Sequence, residues 1–201
     1  MAGRPRSFDR DEALSSALKV FWTKGYADAS MTELTGAMGI NAPSLYAAFG
    51  SKEDLFREAV RLYTETEGAT LWGSMTQAAT AREAIGGLLL ATAMASGRCD
   101  QPKGCLLAVS VANLDALPQG ACGDVATIRQ DALAAMQNRL RAGQAAGEIA
   151  PNADPAVMAA FYATVQQGMT FRAREGGTTD ELTGTAHAAM LAWDGLAGAA
   201  A

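Results

Sequence analysis

The chain has 201 residues, 49% of them hydrophobic and only 6% aromatic, and a formal net charge of −5. This is enough for one large domain, or a small one joined to a larger one, around a sizeable buried core. No apolar run reaches the ~18 residues a membrane span needs, the N-terminus MAGRPRSFDRDE is too polar for a secretory signal, and an odd count of three cysteines fits a reducing cytoplasm better than a disulfide framework.

Ala and Leu abound and β-branched runs are nearly absent, which predicts an all-α fold. Asp9 with Glu12 opens a first helix; Ala13, Leu14, Ala17, Leu18, Phe21 and Trp22 share one face, and Gly25 ends it. Ser30 with Glu33 opens a short second helix, ended by Gly39. Asn41 caps a third, with Pro43 in its first turn, where amides have no intrahelical acceptor to lose. Gly50 closes it. Ser51 with Asp54 opens a fourth on Leu55, Phe56, Ala59, Val60 and Tyr63, running to about Leu71. Thr80 with Glu83 opens a fifth. Gly97–Gly104 reads as a turn, Cys105 to about Leu114 as a short apolar helix, and Leu117-Pro118-Gln119-Gly120 as another break. Helices over 124–146, from Asp154-Pro155 to about Glu175, and from Thr178 with Glu181 onward bring the total to about nine, with no strand.

Net charge alone argues against nucleic acid, but the charge is uneven. Residues 1–63 hold eight Lys/Arg and eight Asp/Glu, whereas residues 64–201 hold eight and thirteen. Arg4 and Arg6 precede any acid and form either a small basic arm or a plain tail. The stretch from Ser30 to Phe49 lays out two short helices around a tight turn at Gly39, the arrangement of a helix-turn-helix whose second helix enters the major groove. Leu34, Met38, Ile40, Leu45 and Phe49 would hold the pair against the first helix. Asn41, Ser44 and Tyr46 are left to face outward. Tyr46 could instead be a core aromatic, and Lys52 taken alone an ordinary solvated lysine.

The run Gly25-Tyr26, Ser30, Gly39-Ile40-Asn41, Ser44-Leu45-Tyr46 and Phe49-Gly50-Ser51-Lys52-Glu53-Asp54-Leu55-Phe56 resembles the DNA-binding signature of the TetR/AcrR repressor family, over roughly residues 8–63. The resemblance implies a three-helix DNA-binding domain at 1–50 and a ligand-binding and dimerisation bundle at 51–201, bridged by the helix at 51–71. It implies phosphate contacts from Tyr46 and Lys52 and from the starts of the second and third helices, at Ser30, Thr32, Asn41 and Pro43. It puts Ala42, Ser44 and Ala47 near bases. Ala42, Ala47 and Ala48 stand where many relatives carry larger groups, so base reading is expected to be sparse, with thymine methyl contacts and shape readout in its place.

The partners expected are a near-palindromic double-stranded operator, a second copy of the chain joined through 155–175 and 179–197, and a small apolar ligand. Small residues at Ala159, Ala160, Ala163, Ala186 and Ala189 would let the dimer helices approach. Met94, Cys105, Met158, Phe161 and Met169 are expected to line the pocket, because methionine-rich walls adapt to varied ligands. Cys105 opens its helix beside Lys103, which favours the thiolate, and Cys99 could resolve an oxidised Cys105; the alternative is a cysteine that merely packs beside Leu106 and Leu107. No cofactor or metal is expected: His187, the only histidine, has no metal-spaced partner. An activator or ligand-independent regulator on the same fold is a second reading. A helical-bundle enzyme is a third, but the sequence offers no nucleophile–base pair and no phosphate loop.

Overall fold

A computed structural model describes residues 8–198; Arg4 and Arg6 lie outside them. Every regular element among the described residues is helical: α1 (Arg10–Asp28), α2 (Met31–Met38), α3 (Ala42–Phe49), α4 (Lys52–Tyr63), α5 (Ala69–Gln77), α6 (Ala81–Ser96), α7 (Leu106–Ala112), α8 (Gln119–Ala145), α9 (Pro155–Arg174), α10 (Thr179–Met190) and α11 (Trp193–Ala197). A π-turn at Thr64–Gly68 joins α4 to α5, and two helical-angle residues, Leu191 and Ala192, separate α10 from α11. Counting each of these pairs as one, the eleven segments reduce to the nine of the sequence pattern.

Three boundaries differ from expectation. The fourth helix does not stop near Leu71 but continues to Gln77. The hydroxyls of Thr64, Thr66 and Thr70 donate to the carbonyls four residues back, at 3.0, 2.8 and 3.2 Å. Such back-bonding competes with the α ladder and accompanies the wider π-turn. Helix α8 starts at Gln119, not 124. Pro118 is extended there and its carbonyl accepts from Cys122 N at 2.9 Å. Gly120 lies in the first turn of α8, where it does not break the helix, and sits against the end of the Glu53 side chain on α4. The short apolar helix α7 ends at Ala112, and a 3₁₀ turn, Leu114–Ala116, follows.

Buried side chains form two cores. The first joins α1–α4 around Phe21, Leu34, Leu45, Leu55 and Phe56, and takes in Leu106, Ala121 and Val125 from α7 and the start of α8. Its centre is aromatic: Phe56 meets Phe21 and Tyr26 edge-on, at 5.1 and 5.2 Å between ring centres. The second joins α5, α6, α9, α10, α11 and the later turns of α8 around Ile85, Leu88, Leu89, Met136, Leu140 and Tyr162. Helix α4 packs in the first core and runs on through the π-turn into α5, which packs in the second. Arg57 on α4 also grips Asp124 on α8, with Nε 2.6 Å from Oδ2.

Candidate nucleic-acid interface and cavity

The helix-turn-helix is built from local caps. Ser30 Oγ accepts from Glu33 N at 3.2 Å, while the Glu33 carboxylate accepts from Ser30 N at 3.0 Å, a reciprocal capping box. Lys24 pairs with the same carboxylate, and this pairing, with the Ser30 cap, lowers Glu33 from 4.5 to about 2. Gly39 follows in the left-handed region, φ 66°, where a side chain would strain. Its conformation turns the chain so that Asn41 Oδ1 can cap α3, accepting from Ser44 N at 2.9 Å. Leu34, Met38, Leu45 and Phe49 are buried as the pattern required, while Ile40 is only partly covered. Arg10 lies 4.3 Å over the Phe49 ring and pairs with Glu58, fastening α3 to α1 and α4.

Ser30, Thr32, Asn41, Pro43, Tyr46 and Ala47 are exposed, Tyr46 by half of its surface; Ala42, Ser44 and Lys52 are partly covered. The starts of α2 and α3 and the outward side of α3 are thus open to solvent. An exposed helix start presents unpaired N–H groups and a positive dipole end, the arrangement that receives phosphate. Lys52, in the first turn of α4, lies over the Tyr26 ring at 4.5 Å and donates to the Ala27 carbonyl at 3.5 Å. Partial burial lowers its pKa from the ordinary lysine value, and Asp28 opposes that shift. Neither the Tyr26 platform nor the Arg10 clasp was visible in the sequence: both join residues more than 25 positions apart and leave no local pattern.

Beyond the helix-turn-helix head, α1 to α4, lies a cavity of about 750 Å³ between α4, α5, α7, α8 and α9. Its walls are mostly apolar, from Trp72, Met75, Leu107, Ile128, Leu133 and Met136, with Arg129, Gln166, Gln167 and Thr170 among the polar groups. Of the five residues expected at a pocket, Cys105 lines it and four do not. Met158 and Met169 are buried in the second core, turned towards the other helices, and Met94 and Phe161 face outward. The physical reason is helical phase: α6 and α9 turn these side chains away from the void, while α5 and α8 supply its bulk. Cys105 adjoins the Tyr63 hydroxyl; burial first, and the thiol second, raise the Tyr63 pKa and keep the phenol protonated. Cys99 is exposed. Lys103 turns its ammonium to the Ser96 carbonyl rather than to Cys105.

Among the described residues no group of three or more His, Cys, Asp and Glu could hold a metal ion, and no helix is long and apolar enough to cross a membrane.

The chain is similar to known proteins in sequence and in fold. Residues 13–59 match the family described as bacterial regulatory proteins, tetR family, and residues 81–189 match the tetracyclin repressor-like C-terminal domain. The chain is 33% identical over 199 residues to the HTH-type transcriptional repressor ComR of Escherichia coli (strain K12), across 96% of this chain and 93% of that protein. A 69-residue stretch is 48% identical to the HTH-type transcriptional repressor BdcR of the same strain, across 34% of this chain and 35% of that one. Among solved structures, a cysteine mutant of the TetR family regulator CifR, complexed with 26-bp double-strand operator DNA, superposes with a TM-score of 0.85 at 38% identity, covering 94% of this chain and all of that one. The reduced form of E. coli NemR shares the fold, with a TM-score of 0.74 at 17% identity over 90% of this chain and 94% of that one. The chain belongs to the TetR family of helix-turn-helix transcriptional regulators.

Proposed function

We propose that this protein is a ligand-responsive repressor that binds its operator as a homodimer in the cytoplasm and releases it when a small, mainly apolar molecule enters the cavity. One observation carries the reading: a complete helix-turn-helix face and a mostly apolar cavity of about 750 Å³ share the α4–α5 helix. A cavity of this size suits a drug-sized molecule. Its apolar walls would hold the body and the polar groups of α8 and α9 would fix its orientation. The ligand releases DNA if it binds better to a geometry in which the recognition helices are wrongly spaced.

In the DNA complex, α3 lies in the major groove. Tyr46, Lys52 and the helix starts at Ser30, Thr32, Asn41 and Pro43 hold phosphates, and Ala42, Ser44 and Ala47 approach bases. For the dimer, the outward side of α9 and α10 supports the pairing. Val157, Phe161 and Phe171 recur there at helical spacing, and Leu191 is 84% exposed. Of the small residues expected at this face, Ala159 and Ala186 are instead buried within the chain, so larger apolar side chains carry the contact. A two-fold dimer implies a near-palindromic operator.

The test uses operator DNA selected from a random pool. Affinity should fall steeply with salt, and Lys52→Ala should flatten that slope by about one unit. Wild-type binding by both Tyr46→Ala and Lys52→Ala would refute the assignment. A monomeric mass at micromolar concentration would count against the dimer. If no library compound both fills the cavity and changes operator affinity, the ligand-independent reading takes over.

The position of Cys105 on the cavity wall favours a second reading, in which the effector is an oxidant or electrophile that modifies this thiol, with Cys99 as the resolving partner. Peroxide or a quinone should then release DNA from wild type and not from Cys105→Ser. Equal release by both proteins, or release by neither, leaves Cys105 as packing.

A further inference from the structure

Arg174 stands in the last turn of α9 and reaches across to the DNA-binding head. Its Nη1 donates to the Trp22 carbonyl and its Nη2 to the Thr23 carbonyl, both at 3.1 Å, and Nη1 lies 3.5 Å from the Lys103 carbonyl. The two α1 carbonyls precede Gly25, whose φ of 83° and ψ of 175° interrupt the helix. They are acceptors at a helix end, where a cation is favoured. A guanidinium suits this place because its rigid fork meets several carbonyls at once, which a lysine ammonium on a flexible stem does not.

The same junction touches the cavity. Trp22 Nε1 donates to the Gly104 carbonyl at 3.2 Å. Gly104 adopts φ 79°, and a Cβ on it would lie 2.6 Å from Arg174 Cγ and 2.8 Å from the Thr170 carbonyl oxygen. Thr170, and Cys105 next to Gly104, both line the cavity. On the other side of Gly25, Tyr26 and Ala27 hold Lys52, the proposed phosphate contact. A chain of close contacts therefore runs from the cavity wall at Thr170 and Gly104, through Arg174 and the end of α1, to the DNA face.

We propose that Arg174 is the latch that couples cavity occupancy to the DNA-binding head, by holding the end of α1 against α9 and the Gly104 loop until a molecule at the Thr170–Cys105 wall displaces it. This rests on the cavity being an effector site. It adds a second connection, on the α1 side, to the one made by α4.

The test places a defined occupant without knowing the natural ligand. In a Cys99→Ser, Cys122→Ser background Cys105 is the only thiol, and N-ethylmaleimide, with addition confirmed by mass, puts bulk on the cavity wall. Operator affinity is measured before and after alkylation, in that background and with Arg174→Met or Arg174→Lys added. Alkylation should weaken binding about tenfold in the background and less than about twofold in Arg174→Met, a loss of coupling within the usual allosteric range. Amide exchange over residues 22–28 should be faster in Arg174→Met. Equal weakening with and without the Arg174 substitution overturns the latch and leaves the effector site standing. No weakening in the background overturns the effector site, and the latch with it. If Arg174→Met does not fold, Arg174→Lys carries the same comparison.

Discussion

The head and the domain behind it close their structures differently. In the head, α1 to α4 each start on a side-chain cap, from Asp9, Ser30, Asn41 and Ser51. The interior there is filled around Phe21 and Phe56, both fully inaccessible. In the rear domain, α6, α9 and α10 are capped by Thr80, Asp154 and Thr178, but α7 and α8, which border the cavity, start without a side-chain cap, and a π-turn and a cavity of about 750 Å³ lie at their junction with the head. A surface that must match DNA needs fixed geometry, which full packing and satisfied helix ends supply. A surface proposed to receive a variable molecule needs room, and room forgoes packing energy.

The contrast should be visible in stability. Phe56→Ala in the head is expected to cost about 3–5 kcal/mol, since the ring is inaccessible and meets two other aromatics. Ala163→Leu, on the cavity wall, should cost less than about 1.5 kcal/mol, because the added carbons enter empty space instead of overpacking a filled core. Urea unfolding of both variants measures the difference; equal costs would erase the contrast.

Ser30→Ala should cost about 1 kcal/mol, the usual value of an N-cap, and should loosen α2 ahead of the rest of the chain. Hydrogen exchange at the first amides of α2 checks this; uniform loosening of the whole molecule would mean that the head has no local stability of its own. The Arg57–Asp124 pair, with both side chains 40% exposed, should contribute little to stability, and less again in high salt. A double-mutant cycle at two salt concentrations would show whether the domains are joined mainly by packing.

The smallest effect is acidic. Glu33 has its pKa lowered from 4.5 to about 2, by Lys24 first and the Ser30 cap second. A carboxyl with a lowered folded-state pKa stabilises fully above its unfolded value and loses that contribution as pH falls through the folded one. The start of α2 should therefore loosen between pH 4.5 and about 2, followed by the amide resonances of residues 31–33. In Glu33→Gln that window should be silent.

Much of the head was legible because its signals are short. A cap joins residues at most three apart, so Ser30 with Glu33, or Asn41 with Ser44, can be read from neighbouring letters. Gly39 and Gly50 mark turns that need positive φ, and both adopt it. The exposed residues proposed to face DNA came with the helices that carry them, since exposure on a short amphipathic helix follows from which positions must be buried. The end of the fourth helix lies beyond Leu71, because neither Gly68 nor Gly73 stops it: the chain passes through a π-turn and stays helical to Gln77. Gly120 differs in the opposite sense: a residue that weakens helices locally sits inside the first turn of α8, where a glycine is tolerated.

The sequence by itself determined the helical class, most helix starts, the position of the recognition helix and the family signature. Each depends on residues within one or two helical turns, where chain geometry alone sets who can touch whom. Only the tertiary structure decided that, of the residues expected at the pocket, Cys105 lines the cavity while Met158 and Met169 are buried elsewhere, and that α5 and α8 supply most of its wall. It alone joined Arg174 to carbonyls about 150 positions away, and stacked Lys52 on Tyr26. A cavity is the space left between helices from distant parts of the chain, so its walls depend on the relative rotation of whole elements. Rotating a helix by one residue, ~100°, exchanges a wall residue for a buried or a solvent-facing one, and no local pattern in the sequence records that rotation.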